Sequence, residues 1–281
     1  DTKGTLIRET SYTYNTGEDR KADAIYSAGC RLRINNYYVA NAVAHYFYPK
    51  HVLSETVKEL KDGTWHVLQT NYTYNQHNQL ISNKSVTNSN GDTVVKKTFY
   101  PKDFPAHATF TAMTASNMLN TVVKEEYYTN NIFTRSVEME FAGYSRPGST
   151  TPYYDICAIK EITSDSSYYP LRIHGRDSNR NIESMTELGK PTTSYLWGYN
   201  GLYPVAVFEN TTLEQLDSHA APIKQPLLDS AAPIKEYEFH LDQIAASMPD
   251  ASVTLYDYKP QIGIKYRKEP NGLKHFYNFY F

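Results

Sequence analysis

The chain has 281 residues, with 28 Lys and Arg against 30 Asp and Glu, a formal charge of −2. That balance gives no electrostatic basis for binding nucleic acid or an anionic membrane surface, and no apolar run nears the roughly 20 residues that span a bilayer. Tyrosine is the outlying count at 26; its packable ring and wettable hydroxyl suit strands with one half-solvated face.

In chain order, Leu6 to Tyr14 alternates and reads as a strand, followed by the turn Asn15-Thr16-Gly17 and a charged loop from Glu18 to Lys21. Cys30–Ile34 and Tyr37–Tyr48 read as strands parted by Asn35-Asn36 and closed by Pro49. His51–Leu60 fits a helix or a strand by pattern. Its Val and Thr content, and the turn Lys61-Asp62-Gly63 ahead of Thr64–Tyr74, favour a hairpin. Asn90-Gly91 joins Gln79–Thr87 to Thr93–Tyr100 in the same way. Two motifs recur: Ser11-Tyr-Thr-Tyr-Asn15 returns 60 residues on as Asn71-Tyr-Thr-Tyr-Asn75, and Phe47-Tyr-Pro-Lys50 returns 52 residues on as Phe99-Tyr-Pro-Lys102. Unequal shifts describe a strand pattern repeated with loops of different length.

Residues 105–120, with Phe110, Met113 and Met118, predict a short helix over a sheet face. Thr121–Tyr128, Ile132–Phe141, Tyr154–Thr163 and Tyr169–Ile173 read as strands, separated by Asn130-Asn131, the 145–152 loop with Arg146-Pro147-Gly148, and Asp165-Ser166-Ser167. The stretch Thr193–Thr212 holds two aromatic strands, Tyr195-Leu196-Trp197 and Val205–Phe208, around Gly198, Asn200, Gly201 and Pro204. Asn200-Gly201 tolerates the positive φ of a hairpin turn, and Pro204, lacking an N–H, belongs at the start of the returning strand or on an edge. Thr211-Thr-Leu-Glu214 fits a capping box, and a Pro-interrupted linker follows, with Ala220-Ala-Pro-Ile-Lys224 echoed by Ala231-Ala-Pro-Ile-Lys235. Tyr237, Leu241, Ile244 and Met248 share one face of a helix that Pro249 ends. Strands resume at Ser252–Tyr258, and Pro270-Asn-Gly-Leu273 turns the chain into a terminal strand, His275–Phe281. The expected fold is all-β: antiparallel hairpins in a long twisted sheet or partial barrel, with a helical insertion at 211–248. Residues 1–105 form an N-terminal region and 106–281 a C-terminal one, as two domains or one continuous domain.

Four segments resemble the YD-repeat, or Rhs-type, proteins of bacteria, whose repeat is a Tyr-x-Tyr-Asp strand end, a Gly- or Asn-containing turn, and a strand opening on Leu or Ile. Tyr72-Thr-Tyr74-Asn75 with Asn78-Gln79-Leu80-Ile81 looks like one copy with Asn for Asp, and Arg172 to Ile182 like a worn copy with Arg176 in place of Tyr. Tyr195-Leu-Trp-Gly-Tyr-Asn-Gly201 with Tyr203-Pro-Val205, and Tyr256-x-Tyr258-Lys-Pro260 with Ile262-Gly263, look like segments of large surface-type members. The resemblance implies hairpins coiling into an extended sheet or shell in a cell-surface or secreted protein; some members enclose a C-terminal toxin and a few bind carbohydrate. Here the repeats are few and worn, and the helical insertion interrupts them. The chain opens on Asp1 without an initiator Met or signal pattern, so a mature or excised fragment is expected.

Little in the sequence points to chemistry. Cys30 and Cys157 make no C-x-x-C pair; a disulfide and two buried thiols both remain open, and alone they build no zinc site. His174, Arg176 and Asp177 look like an acid–base cluster, yet alternation puts Asp177 on the face opposite the other two, so strand and turn roles are expected. Glu269-Pro-Asn-Gly272 resembles the Asp-Pro-x-Gly setting in which some Rhs proteins cleave themselves, with Glu for Asp; a turn role is expected. Asn71, Asn83 and Asn210 match the glycosylation pattern as an Asn- and Thr-rich chain does by chance. Trp65, Trp197 and Tyr199 are the first candidates to stack on sugar rings, against burial of Trp197 in the hairpin core. The expectation is a non-enzymatic structural or interaction module of a cell-surface or secreted protein. A carbohydrate-binding module using exposed aromatics is the alternative, and a glycan hydrolase with a carboxylate pair is third. No cofactor or metal is called for. The expected partners are the remainder of the parent polypeptide and cell-surface glycans or proteins, with neither nucleic acid nor direct membrane insertion.

Overall fold

In the computed structural model, which describes residues 8–15, 24–34, 37–46, 51–145 and 152–278, left-handed backbone marks the corners. Asp62 (φ 51°) and Gly63 (77°), Asn130 (50°) and Asn131 (65°), and Asn200 (58°) and Gly201 (77°) each close a hairpin where the sequence placed a turn. The expected features at Thr16–Lys21, Asn35-Asn36, Phe47–Lys50, Arg146-Pro147-Gly148 and Phe279–Phe281 lie outside the described residues.

The strands fall into two units. The first comprises Asp1–Phe99 and Glu126–Thr134. It contains β1 (Arg8–Tyr14), β2 (Ala24–Ile34), β3 (Tyr37–Tyr46), β4 (Val52–Lys61), β5 (Thr64–Tyr74), β6 (Ile81–Thr87) and β7 (Thr93–Phe99), with most of β8 (Lys124–Thr129). β2 and β3 form their own antiparallel ribbon, and the rest follow the order β1-β4-β5-β6-β7-β8. The two copies of the Tyr-Thr-Tyr-Asn motif therefore flank β4, one on each side. Their asparagines are buried: Asn15 Oδ1 accepts the His51 N–H at 2.9 Å, and Asn75 Oδ1 accepts that of His77 at 2.8 Å. No described apolar side chain of this unit is buried.

The second unit comprises Tyr100–Glu125 and Arg135–Phe281. A 3-10 turn and α1 (Ala108–Ala115) precede β9 (Ile132–Tyr144), which starts in the first unit. Then come β10 (Tyr153–Thr163), β11 (Ser167–Arg176), β12 (Ile182–Glu187), β13 (Thr193–Gly198) and β14 (Tyr203–Glu209). Next are α2 (Leu213–Asp229), α3 (Pro233–Ser247), β15 (Ser252–Lys259), β16 (Gly263–Lys268) and β17 (Lys274–Phe276). Each strand from β9 to β17 is the antiparallel neighbour of the next, so the architecture is the expected β meander with a helical insertion.

The core is built where the helices cover β13, β14 and β15. Leu196, Val205, Ala206, Phe208, Val253 and Leu255 meet Leu216, Ala220 and Leu227 of α2 and Leu241 and Ile244 of α3. A bulge helps: Leu196 pairs with Ala206 but Trp197 with Pro204, so Val205 is an extra residue, and both Val205 and Ala206 are fully buried. Gly198 permits the close approach of α3, because a Cβ there would lie 2.7 Å from Pro233 and 2.9 Å from Val205.

Two helix expectations need correction. The N-cap is Thr212, whose Oγ1 accepts the Gln215 N–H while Gln215 Oε1 accepts that of Thr212; the capping box is one residue later than Thr211–Glu214. The stretch expected to be a Pro-interrupted linker is helix, since α2 runs unbroken through Pro222 and Pro226. Both prolines are exposed, so the carbonyls they leave without an N–H face water, while Leu216, Ala220 and Leu227 anchor the opposite side.

Tyr199 ties the hairpin to β15. Its hydroxyl donates to Asp257 Oδ1 at 2.7 Å and accepts the Tyr258 N–H at 2.9 Å, and Lys265 pairs with Asp257 at 2.9 Å. Tyr199→Phe should lower stability by about 1–3 kcal/mol, because the buried Asp257 carboxylate and the Tyr258 amide lose a partner together. Urea unfolding checks this: the midpoint falls at unchanged slope if the tie holds the hairpin, and stays put if the hydroxyl is dispensable.

Candidate functional site

The sequence-nominated residues separate. Trp65, in the first unit, is exposed and sits in β5 opposite Leu60. Trp197 and Tyr199 belong to the second unit. Trp197 is half-buried, its indole Nε1 donating to the Ile182 carbonyl at 2.8 Å. Tyr199 is packed in the core at 4 % exposure, so its ring offers no face to a ligand.

His174, Arg176 and Asp177 are occupied with separate partners. His174 Nε2 lies 2.7 Å from Thr186 Oγ1. Arg176 donates to the carbonyls of Arg180 and Ile156. Asp177 Oδ1 accepts the main-chain N–H of Asn179 and of Asn181, each at 2.9 Å. Asn75 Oδ1 accepts the His77 N–H at its own turn, and in both turns a residue ahead of the returning strand is left-handed: Gln79 at φ 61° and Arg180 at φ 74°. A short polar side chain at the strand end thus organises the amides of the following turn. Glu269 has the corresponding turn geometry, with the Gly272 N–H bonded to its carbonyl at 2.8 Å and its carboxylate held by Arg267.

A cavity of about 500 Å³ opens in the second unit between β12, β13 and α2. β12 and β13 share only two residue pairs, Ser184↔Ser194 and Met185↔Thr193. Register shifts near Gly175 accompany the placement of Glu183 against α2, where Lys224 Nζ lies 2.7 Å from Glu183 and 2.6 Å from Asp217. Burial pulls the Lys224 ammonium down, but hydrogen bonds to Asp217 and Glu183 outweigh it and hold it above its usual value. Tyr195 and Trp197 also line this cavity. Two carboxylates therefore converge, but on a lysine between them. Sequence reading missed this trio because Glu183 and Lys224 share no local pattern and meet only through tertiary packing. A second cavity, of about 460 Å³, is lined by Phe104, His107, Phe110, Phe141 and the free thiol Cys157, which burial pushes up. Among the described residues no group of three or more His, Cys, Asp or Glu could hold a metal ion, and no helix is long and apolar enough to cross a membrane.

The first unit carries a tyrosine face. Alternation places Tyr12 and Tyr14 of β1, Glu55 of β4, and Tyr72 and Tyr74 of β5 on the same side, with Trp65 on the other. Tyr12 and Tyr14 are 49 % and 39 % exposed with ring centroids 6.4 Å apart, while Tyr72 and Tyr74 are half-buried. The Tyr74 hydroxyl donates to the Val52 carbonyl at 2.8 Å, and His51 lies against the Tyr74 ring at 4.1 Å.

No family model matches the chain, and no curated protein matches it. Among solved structures it is similar to one described as the crystal structure of TcdB2-TccC3-TEV, with a TM-score of 0.44 and 6 % identity. That likeness covers 93 % of this chain and 17 % of the other. A second, the crystal structure of TcdB2-TccC3-Cdc42, gives a TM-score of 0.28 and 10 % identity over 79 % of this chain and 13 % of the other. The chain thus spans only a small share of either structure's length.

The buried tyrosines set an alkaline limit. Burial pushes the Tyr258 phenol up to about 12, and burial together with the Asp257 and Glu238 carboxylates raises Tyr199 and Tyr266 from the usual 10. Folded values above unfolded ones mean stability is full below pH 10 and is lost as pH climbs from there through the folded values. An alkaline titration should show a late class of tyrosinate absorbance appearing together with loss of the β circular dichroism signal. Complete ionisation with the β signal intact would contradict it.

Proposed function

We propose that this chain is a non-catalytic structural and interaction module of a larger cell-surface or secreted protein of the YD-repeat kind. The observation that carries the reading is the use made of the motif residues. Asn75 and Asp177, at the strand-end positions of the two repeat copies, spend their side chains on main-chain amides of the turns that follow. Residues employed this way build corners and leave reactive groups out of the design. The two carboxylates that converge in the cavity of the second unit, Glu183 and Asp217, are both ion-paired with Lys224, an arrangement that suits a structural bridge better than the separate acid and base of glycoside hydrolysis. The remainder of the parent polypeptide is the first partner of such a module.

The test is a turnover screen on the intact 281-residue chain with neutral and acidic polysaccharides, chromogenic glycosides and simple esters. The reading expects no product above the blank, and it expects Glu183→Gln and Lys224→Met to lower the melting temperature by a few degrees through the broken ion pairs. Product release that Glu183→Gln abolishes at an unchanged melting temperature would overturn it.

A further inference from the structure

We propose that the cavity between α1 and β9 of the second unit binds a small uncharged aromatic molecule carrying one hydrogen-bond donor, of the phenol or indole kind. Such a site goes beyond the scaffold role and does not depend on it. Its walls begin with a spacing: Phe104, His107 and Phe110 follow one another at three-residue intervals. The His107 N–H bonds to the Phe104 carbonyl at 3.0 Å and the Thr111 N–H to the His107 carbonyl at 2.9 Å, so the winding chain brings the three rings together. His107 stacks on Phe110 with centroids 4.0 Å apart, Phe104 lies 5.7 Å from Phe110, and Phe141 of β9 meets Phe110 edge-on at 6.4 Å. Val123, buried and bonded through its carbonyl to the Met139 N–H at 2.9 Å, fastens the segment to β9. A bulge in β10 supplies another wall: Ile156 pairs with Phe141 but Ala158 with Glu140, so Cys157 is an extra residue, and its free thiol lines the cavity.

Rings that packed for stability alone would close on one another, because well-packed side chains leave few voids larger than a water. Here about 460 Å³ stays open beside them, a volume and an aromatic lining typical of small-molecule sites. Ring faces and edges at several inclinations favour another flat ring over a saturated one of the same size, through offset and edge-to-face contacts. Charge at the cavity is already committed within the protein. Lys124 Nζ lies 3.1 Å from Glu138, and Glu140 accepts the Tyr169 hydroxyl at 2.9 Å. Lys160, opposite Glu138, and Arg172, opposite Ala158, lie over the Tyr169 ring at 6.0 Å and 3.7 Å. An acid therefore meets two carboxylates at the wall, and an amine meets carboxylates that three cations already balance. What remains is hydrogen-bond acceptance. A carboxylate accepts at both oxygens, and the Tyr169 hydroxyl takes up one of those of Glu140, leaving an acceptor that suits a phenol O–H or an indole N–H.

The experiment is calorimetry of the intact chain with naphthol as the probe, beside methoxynaphthalene, decahydronaphthol, naphthoate and naphthylmethylamine. Naphthol should bind with a Kd below about 1 mM. It should bind about fivefold tighter than methoxynaphthalene, which lacks the donor, and than decahydronaphthol, which lacks the flat rings. Phe110→Leu keeps apolar bulk and should weaken naphthol about fivefold, while Glu140→Met, which removes the acceptor, should bring naphthol down to the level of methoxynaphthalene. Circular dichroism checks that each variant is folded. In a Cys30→Ser background, where Cys157 is the remaining thiol, bound naphthol should slow alkylation of Cys157 by N-ethylmaleimide as occupancy rises. Absent naphthol binding, equal binding of decahydronaphthol, tighter binding of the acid or the amine, or binding that leaves Cys157 alkylation unchanged would each overturn the proposal. Any of these results without turnover leaves the scaffold reading standing, whereas turnover overturns that reading independently.

Discussion

The corners hold this molecule together. An antiparallel meander needs each strand delivered to its predecessor in register, and a one-residue slip would exchange its two faces. In this chain the delivery is made by short polar side chains that accept main-chain N–H groups at strand ends, Asn15, Asn75 and Asp177 among them. Left-handed residues, Gln79 and Arg180 at two of these turns, then swing the chain back. The amides satisfied there would otherwise be unpaired at the sheet margin, and two of the three acceptors, Asn15 and Asn75, are buried. Strand pairing follows from these turns, and the tyrosine pattern follows from strand pairing.

The two units use that ladder differently. In the second, α2 and α3 bring Leu216, Leu227, Leu241 and Ile244 down onto Leu196, Phe208 and Leu255, and a dry core results. In the first, no described apolar side chain is buried, and main-chain bonds with partly wet tyrosines carry the sheet. Tyrosine serves both settings because it can be a core residue with a satisfied hydroxyl, as at Tyr199, or a surface ring, as at Tyr12.

Local chemistry was legible in the sequence and long-range chemistry was not. Asp62-Gly63, Asn130-Asn131 and Asn200-Gly201 announce their turns because a positive φ has few tolerant residues. The helix face of Tyr237, Leu241 and Ile244 shows itself through period alone. The prolines of α2 misled because propensity treats Pro222 and Pro226 as breakers, while the burial of Leu216 and Leu227 on the sheet outweighs two exposed, missing hydrogen bonds. Tyr199 reads as a surface aromatic in a Gly-rich turn; its acceptor, Asp257, lies 58 residues away and leaves no local trace. The Glu183–Lys224–Asp217 cluster was invisible for the same reason, being assembled by a register shift and a helix docking on it.

Hydrogen exchange followed by mass spectrometry along the whole chain tests most directly the claim that corners plus one helix-covered core define this scaffold. Amides of β13, β14, β15 and α2 should be the slowest to exchange, those of β4 to β7 markedly faster, and Asn75→Ala should speed exchange in β5 and β6 while leaving the helix-covered strands unaltered. Uniform protection across both units, or an Asn75→Ala variant exchanging like the parent in β5 and β6, would contradict the account.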